Sequence, residues 1–295
     1  MARTKPNKPH KTPIPAPKAL DPLPQNTQAL LRTGPEAVAY HIPISPPTPS
    51  HPLLKTTVCL PRYSTWASGL HFHTAHTEYL HLTHGCIFVS LNDTMKIYSA
   101  ETGGEVHWIT GQLVKEGLLI KVPKYARHNW GRADEYAWGE RGKPQRTHIC
   151  PSPRFTRPRD ISEEVVVEEW TDPSDVGKAL FFWNLNGVIN GDGGGRLTVL
   201  QRLVRLVMGC WWVPFQLFVV FWELDNWPVF LALGYQDSPG VGGRLWVRVY
   251  RWVEYVMTFG VLFGARAFGW LVGVRAVEKI RTPEKLWEAY QAQGV

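Results

Sequence analysis

Five histidines and one glutamate fall within fourteen residues of the segment GLHFHTAHTEYLHLTHG, Gly69 to Gly85. His71 and His73 are two apart, so on an extended strand both imidazoles leave the same face and reach one ion. A turn over Thr74 to His76 would bring Glu78, at the head of the next run, back toward them. Two imidazole nitrogens and a carboxylate oxygen suit Fe(II), Mn(II), Ni(II), Cu(II) or Zn(II) and select none of them, since no thiolate is present. A fourth ligand must come from elsewhere, and GLLIKVPKYARHNW supplies His128 on a later strand. Pro123 sets a turn ahead of it, and Gly117 allows a tight bend at its start.

Elements able to position these groups are short. Between Thr57 and Trp170 the chain breaks into runs such as TTVCL, EYLHLT, CIFVSL, MKIYSA, EVHWIT, GLLIKVP, RHNW, RTHI and EEVVVEEW. Their length, β-branched content and turn spacing predict an antiparallel barrel or sandwich. DPSDVGKALFFWNLNGVI then predicts one helix from near Pro173, covering a sheet face through Leu180, Phe181, Leu185 and Val188 or Ile189. Glu163, Glu164, Glu168 and Glu169 are expected to project from strand ends. His84 shares the parity of Glu78 if its strand stays regular, which would turn it inward as a proton donor or acceptor beside the metal. His81 has the opposite parity and is expected to face outward, and His76 sits in the turn at the pocket entrance. Phe88, Tyr98, Trp108 and Trp130 are aromatic candidates for the barrel filling.

His71, His73, Glu78 and Gly85, with one, four and six residues between them, match the first motif of the cupin superfamily, and Gly117, Pro123 and His128 match the second. The chain resembles that superfamily over roughly residues 57–150. Tyr125 stands where the second motif has glycine, Arg132 where it often has asparagine, and Thr65 where a glycine commonly precedes the first motif. The resemblance implies a mainly β jelly-roll barrel. It also implies a single divalent transition metal held by His71, His73, Glu78 and His128, with Fe(II) placed ahead of Mn, Zn, Ni or Cu. His84 and Tyr125 are the candidate catalytic residues of the pocket, Tyr125 as a hydrogen-bonding group at the barrel mouth. The whole arrangement is similar to filamentous-fungal cupin-domain oxidoreductases of secondary-metabolite clusters. That similarity implies oxidation of a small hydrophobic substrate such as a polyketide or phenol. A non-redox isomerase or dehydratase, and a ligand-binding module without catalysis, stay open beside it.

The organisation outside the barrel is read from composition. Residues 1–50 are proline-rich and are expected to form a flexible arm, the barrel to occupy 51–172, and a covering helix and glycine-rich hinge 173–195. Residues 196–295 carry two long apolar runs, Leu206 to Trp222 and Val256 to Val274, at the lower range of what crosses a hydrocarbon layer. With seven tryptophans around them, they predict a helical, membrane-associated segment whose helices are transmembrane, re-entrant or interfacial. Gly260 and Gly264, and Gly269 and Gly273, have the four-residue spacing used in close helix contacts. Basic residues flank the runs on both sides, so orientation is open, with the barrel expected on the cytoplasmic side. Lys and Arg outnumber Asp and Glu by 6 to 2 in residues 1–50 and by 11 to 7 in residues 196–295, while residues 51–195 hold 15 against 16. A nucleic-acid enzyme would concentrate positive charge around its site, so no nucleic acid is expected as partner. The expected partners are a small hydrophobic substrate, a membrane and a second copy in a homodimer. Four dispersed cysteines without a CxxC pair suggest neither a thiolate zinc site nor a disulfide framework.

Overall fold

The computed structural model describes residues 14–92, 94–107, 110–133, 158–191, 197–231 and 241–293. Trp108, the run RTHI and most of the glycine-rich hinge lie outside these residues. Two antiparallel sheets face one another in a jelly-roll barrel, and apolar helices follow. The first sheet runs in the order β1 (Thr27–Arg32), β2 (Val38–Pro43), β3 (Thr56–Leu60), β12 (Val165–Asp172), β5 (Thr77–His84) and β10 (Leu119–Val122). The second runs β13 (Trp227–Pro228), β4 (His71–Phe72), β11 (His128–Arg132), β6 (Cys86–Leu91), β7 (Thr94–Ser99), β8 (Gly104–Val106) and β9 (Leu113–Glu116). Alternation sorts the side chains. Leu80 and Leu82 of β5, Val165 and Val167 of β12, and Ile87 and Val89 of β6 all enter one buried cluster between the sheets.

The first fifty residues are not an arm throughout. Thr27–Arg32 and Val38–Pro43 pair antiparallel, and Val38, Tyr40 and Ile42 are fully buried in the main core. Each such side chain contributes about 1.5–3 kcal/mol of burial, which is enough to order a hairpin between proline-rich flanks. Average proline content conceals these two short runs.

Five α-helices follow among the described residues: α1 (Gly177–Asn190), α2 (Val199–Met208), α3 (Trp212–Glu223), α4 (Val241–Val272) and α5 (Glu284–Ala292). Helix α1 starts four residues later than Pro173, after the Asp175 carboxylate accepts from the Gly177 amide (2.7 Å). It has almost no wet face, because the barrel covers one side and α3 and the C-terminal segment the other; even Asn184 is buried, donating to Thr282. Helices α3 and α4 run antiparallel, joined by the ring contacts Phe215–Phe268 and Trp222–Phe259. Of the four spaced glycines, Gly269 is the one that makes the close contact, since a Cβ there would strike Val219 of α3.

The described residues after 197 pack against the barrel, where Trp212, Phe215, Val219, Val220 and Leu286 enter the main core. Trp227 and Pro228 form strand β13, which pairs with Phe72 and His71 of β4. The polar interruption between the apolar runs contains the residues that dock them.

Gly85, between β5 and β6, has φ 77°, and a Cβ there would collide with the Glu164 carbonyl. Gly85→Ala combines left-handed strain with a backbone clash. The expected loss is roughly 3 kcal/mol, read as a lower denaturant midpoint.

Candidate metal centre

Strand β4 carries His71, the following turn His73, β5 Glu78 and β11 His128, and all four are buried. His128 pairs directly with His71 across β4 and β11. One ligand atom from each residue lies within 4.8 Å of all the others, the only such group of His, Cys, Asp and Glu among the described residues. Glu78 Oε2 is 2.7 Å from His128 Nε2 and 3.8 Å from His73 Nε2. These three atoms are buried without a hydrogen-bond partner, an arrangement that protein interiors normally avoid. The residues fit a divalent cation.

The other nitrogen of each ring is anchored in the same way. Nδ1 of His71 donates to the Gly69 carbonyl (2.8 Å), that of His73 to the Asp225 carbonyl (2.5 Å) and that of His128 to the Ala126 carbonyl (3.0 Å). A carbonyl can only accept, so each proton sits on Nδ1 and each Nε2 lone pair faces the centre. Burial, with His128 and His73 nearby, lowers the His71 imidazole well below its ordinary value, which keeps it neutral as a ligand must be.

Two residues of the site were not expected from the sequence. Lys178 enters from α1 and donates to Glu78 Oε1, with its ammonium also 3.0 Å from Glu169 Oε2. Glu169 does not project from a strand end; it is buried, and its Oε1 accepts from the Trp130 indole (2.7 Å). Burial pushes the Glu78 carboxyl up, but chiefly the Lys178 ammonium reverses this and holds it well below the carboxylate range. Burial raises the Glu169 carboxyl despite Lys178, while the two carboxylates hold the Lys178 ammonium charged against its own burial. A signal for both was present. Val165, Val167 and Glu169 share one parity, and Lys178 is the lone charge on an apolar helix, on the same face as Phe181, Phe182 and Leu185.

A cavity of about 150 Å³ adjoins the centre. His71, Glu78, Glu169 and Lys178 form its polar end, Tyr40, Trp66, Phe181, Phe182, Leu185 and Phe221 its walls, and Arg32 and Glu36 its outer end.

The two expected catalytic residues lie elsewhere. His84 is exposed at the end of β5, because that strand bulges opposite Val166 and Val167: Val167 pairs with Leu82 but Val166 with His84. The skipped residue, Thr83, breaks the parity that would have turned His84 inward. Tyr125 is 57% exposed. It occupies the glycine position of the motif with φ 63°, and its backbone serves the site: the amide donates to the His73 carbonyl (2.6 Å), and the carbonyl accepts from Tyr255. His81 is half-buried beside Glu168. Arg132 is a buried strut to the carbonyls of Leu60, Pro61 and Glu163. Trp130 fills the barrel, whereas Phe88 packs in a smaller cluster with Ile97, Val106 and Ile161.

His76 acts as a clamp. Its Nδ1 meets Asp225 and its Nε2 meets Asp175, each at 2.8 Å. Asp225 also accepts from the amides of Thr74, Ala75 and His76, the Thr74 hydroxyl and the Trp227 indole. The Asp175 and Asp225 carboxylates raise His76 to about 9. Burial pushes Asp225 up, yet His76 and the Thr74 donors hold it well below its ordinary value. A raised imidazole contributes stability that is complete below its unfolded value of 6.5 and lost as pH rises through about 9. A lowered carboxylate contributes above its unfolded value of 3.8 and loses this as pH falls. Urea midpoints of wild type and His76→Gln are thus expected to differ most between those two unfolded values and to converge toward about pH 10.

No protein-family model matches the chain, and no curated protein matches it. Among solved structures, KdgF from Halomonas sp. is similar, at 13% identity over 49% of this chain and 84% of that one, with a TM-score of 0.27. A cupin-2 domain from Rhodospirillum rubrum is similar at 10% identity over 52% of this chain and 75% of that one, TM-score 0.28. The capsular polysaccharide assembling protein CapF from Staphylococcus aureus is similar at 12% identity over 50% of this chain, TM-score 0.28; the match spans only 32% of CapF.

Proposed function

We propose that the protein is a metal-dependent oxidoreductase acting on a small apolar substrate at a membrane surface. His71, His73, Glu78 and His128 would hold one divalent transition metal, Fe(II) ahead of Mn, Zn, Ni or Cu. The observation that carries this reading is the set of three buried, unpartnered atoms, His73 Nε2, His128 Nε2 and Glu78 Oε2, beside a cavity with aromatic walls. A bound cation would supply an open coordination position together with electron transfer or Lewis acidity. The chain's own residues do the rest. Three backbone carbonyls orient the imidazoles, Lys178 keeps Glu78 ionised, and α1 and α3 exclude water with Phe181, Phe182 and Phe221. A cavity of about 150 Å³ takes about one benzene ring, so the reacting part of the substrate is ring-sized, such as a phenol or enol.

Elemental analysis of natively purified protein, followed by assays of phenolic compounds with and without O₂, tests the proposal. The expected result is iron near one per chain and turnover that needs O₂. Turnover that persists without O₂ and with zinc or manganese would establish instead the isomerase or dehydratase reading, which Lys178 and Glu169 favour by placing a proton-carrying pair at the cavity.

Two helical stretches, Val199–Glu223 and Val249–Val272, are long and apolar enough to cross a membrane, and a buried core helix can have the same composition. Three features support attachment in the plane of the interface. Gly209, at φ 54°, separates α2 from α3, leaving pieces of about 15 and 18 Å against a hydrocarbon thickness of about 30 Å. Helix α4 gives its inner face to the barrel, with Glu254 in a buried pair with Arg127 (2.7 Å) and Thr258 bonded to the Pro228 carbonyl. Its outer face and α2 present Trp252, Phe263, Trp270, Leu206 and Val207 to solvent, which suits a headgroup boundary. Fractionation of the full chain should find it with membranes and release it in alkaline carbonate. A protein that never pellets removes the membrane from the proposal, and one that resists carbonate replaces in-plane attachment with a spanning helix.

A further inference from the structure

The two carboxylate oxygens of Glu78 have different surroundings. Oε2 lies among the imidazole Nε2 atoms and has no hydrogen bond, whereas Oε1 accepts from Lys178. Lys178 belongs neither to the barrel nor to either histidine motif; it reaches in from α1, a hundred residues after Glu78, and its side chain is 8% exposed. Behind it a chain of contacts fixes its place: Trp130 donates to Glu169, Glu169 pairs with the ammonium, and the Phe182 ring lies 5.3 Å from Nζ. An ammonium held this firmly has two consequences for a cation at the centre. It occupies the lone pairs that Glu78 would need to chelate with both oxygens. It also places a positive charge one carboxylate's width from a doubly charged ion, in surroundings where water screens little.

Resting on the metal-centre reading, we infer that Lys178 is a positioning residue that restricts Glu78 to a single metal-facing oxygen and moderates the affinity of the centre for divalent cations. The restriction keeps a coordination position free on the cavity side, where Lys178 and the aromatic walls meet. Removing the ammonium lets Oε1 turn toward the ion and relieves the repulsion, so at a pH high enough to keep Glu78 ionised without Lys178, binding tightens as the coordination changes. A lysine that served only to fasten α1 to the barrel would move neither quantity once folding is preserved.

The test uses Co(II) as the probe on the full chain, with folding followed by circular dichroism. Wild type, Lys178→Met and Lys178→Met/Glu169→Gln are compared, the last keeping the charge of the pair unchanged where the single variant leaves two buried carboxylates together. Lys178→Met is expected to bind Co(II) about tenfold more tightly or better, with altered visible absorption bands. The double variant is expected to show the same band change with a smaller gain in affinity. Wild-type affinity and bands in the folded variants, or weaker binding, would overturn the role of Lys178 while leaving the centre itself intact. Failure of wild type to bind Co(II), with His128→Ala indistinguishable from it, would overturn both.

Discussion

Replacing His128 by alanine is expected to abolish stoichiometric metal binding while the barrel still folds. His128 is fully buried, pairs with His71 across the strands, and aims Nε2 at Glu78 Oε2. The substitution removes one of the four candidate ligands and leaves Glu78 Oε2 without the imidazole nitrogen 2.7 Å from it. Loss of an outer hydrogen-bond partner of a metal ligand costs about 10–100-fold in affinity, and loss of the ligand itself should exceed that. Metal content after dialysis reads the effect directly. Retention of a full equivalent by His128→Ala would show that the ion sits elsewhere. His84→Ala and Tyr125→Phe are the matched controls, because both side chains are exposed, and each should keep its metal.

Asp225→Ala is expected to have the second-largest effect, although the residue lies about 150 positions from the histidines in sequence. Its carboxylate gathers the amides of Thr74, Ala75 and His76, the Thr74 hydroxyl, the His76 imidazole and the Trp227 indole. Each donor left unsatisfied away from water costs about 1–3 kcal/mol, and His76 loses a charged partner. A destabilisation of roughly 3–5 kcal/mol is expected, in the range for breaking a buried ion pair. The Asp225 carbonyl that orients His73 survives the substitution but loses its anchor, so affinity for the metal should fall by about 10–100-fold. Denaturant titrations and metal competition measure the two effects separately. Unchanged stability would mean that the C-terminal segment is only loosely attached to the metal-bearing turn.

Most strands were legible because alternation and turn residues are local signals. β3, β5, β6, β10 and β12 lie where the runs TTVCL, EYLHLT, CIFVSL, GLLIKVP and EEVVVEEW place them. The hairpin of β1 and β2 was obscured by the prolines around it, although every residue of Val38–Pro43 is buried. Helical composition identified α1 and the apolar runs, but not that α1 is covered on both sides.

At the site, the spacing of the histidines and the motif resemblance singled out His71, His73, Glu78 and His128, which the fold brings within 4.8 Å of one another. Contacts between distant segments that no motif marks were invisible at that level. Lys178 on Glu78, Asp225 under the turn that carries His73 and β13 beside β4 join positions about 100 to 150 residues apart. No local preference encodes such pairs; they follow from which surfaces must be buried together. His84 illustrates the converse, because its strand kept the right residues and a single bulge against β12 turned the side chain to solvent. Local spacing and motif thus marked the cluster, while long-range packing set its charge balance, its supports and the shape of the cavity beside it.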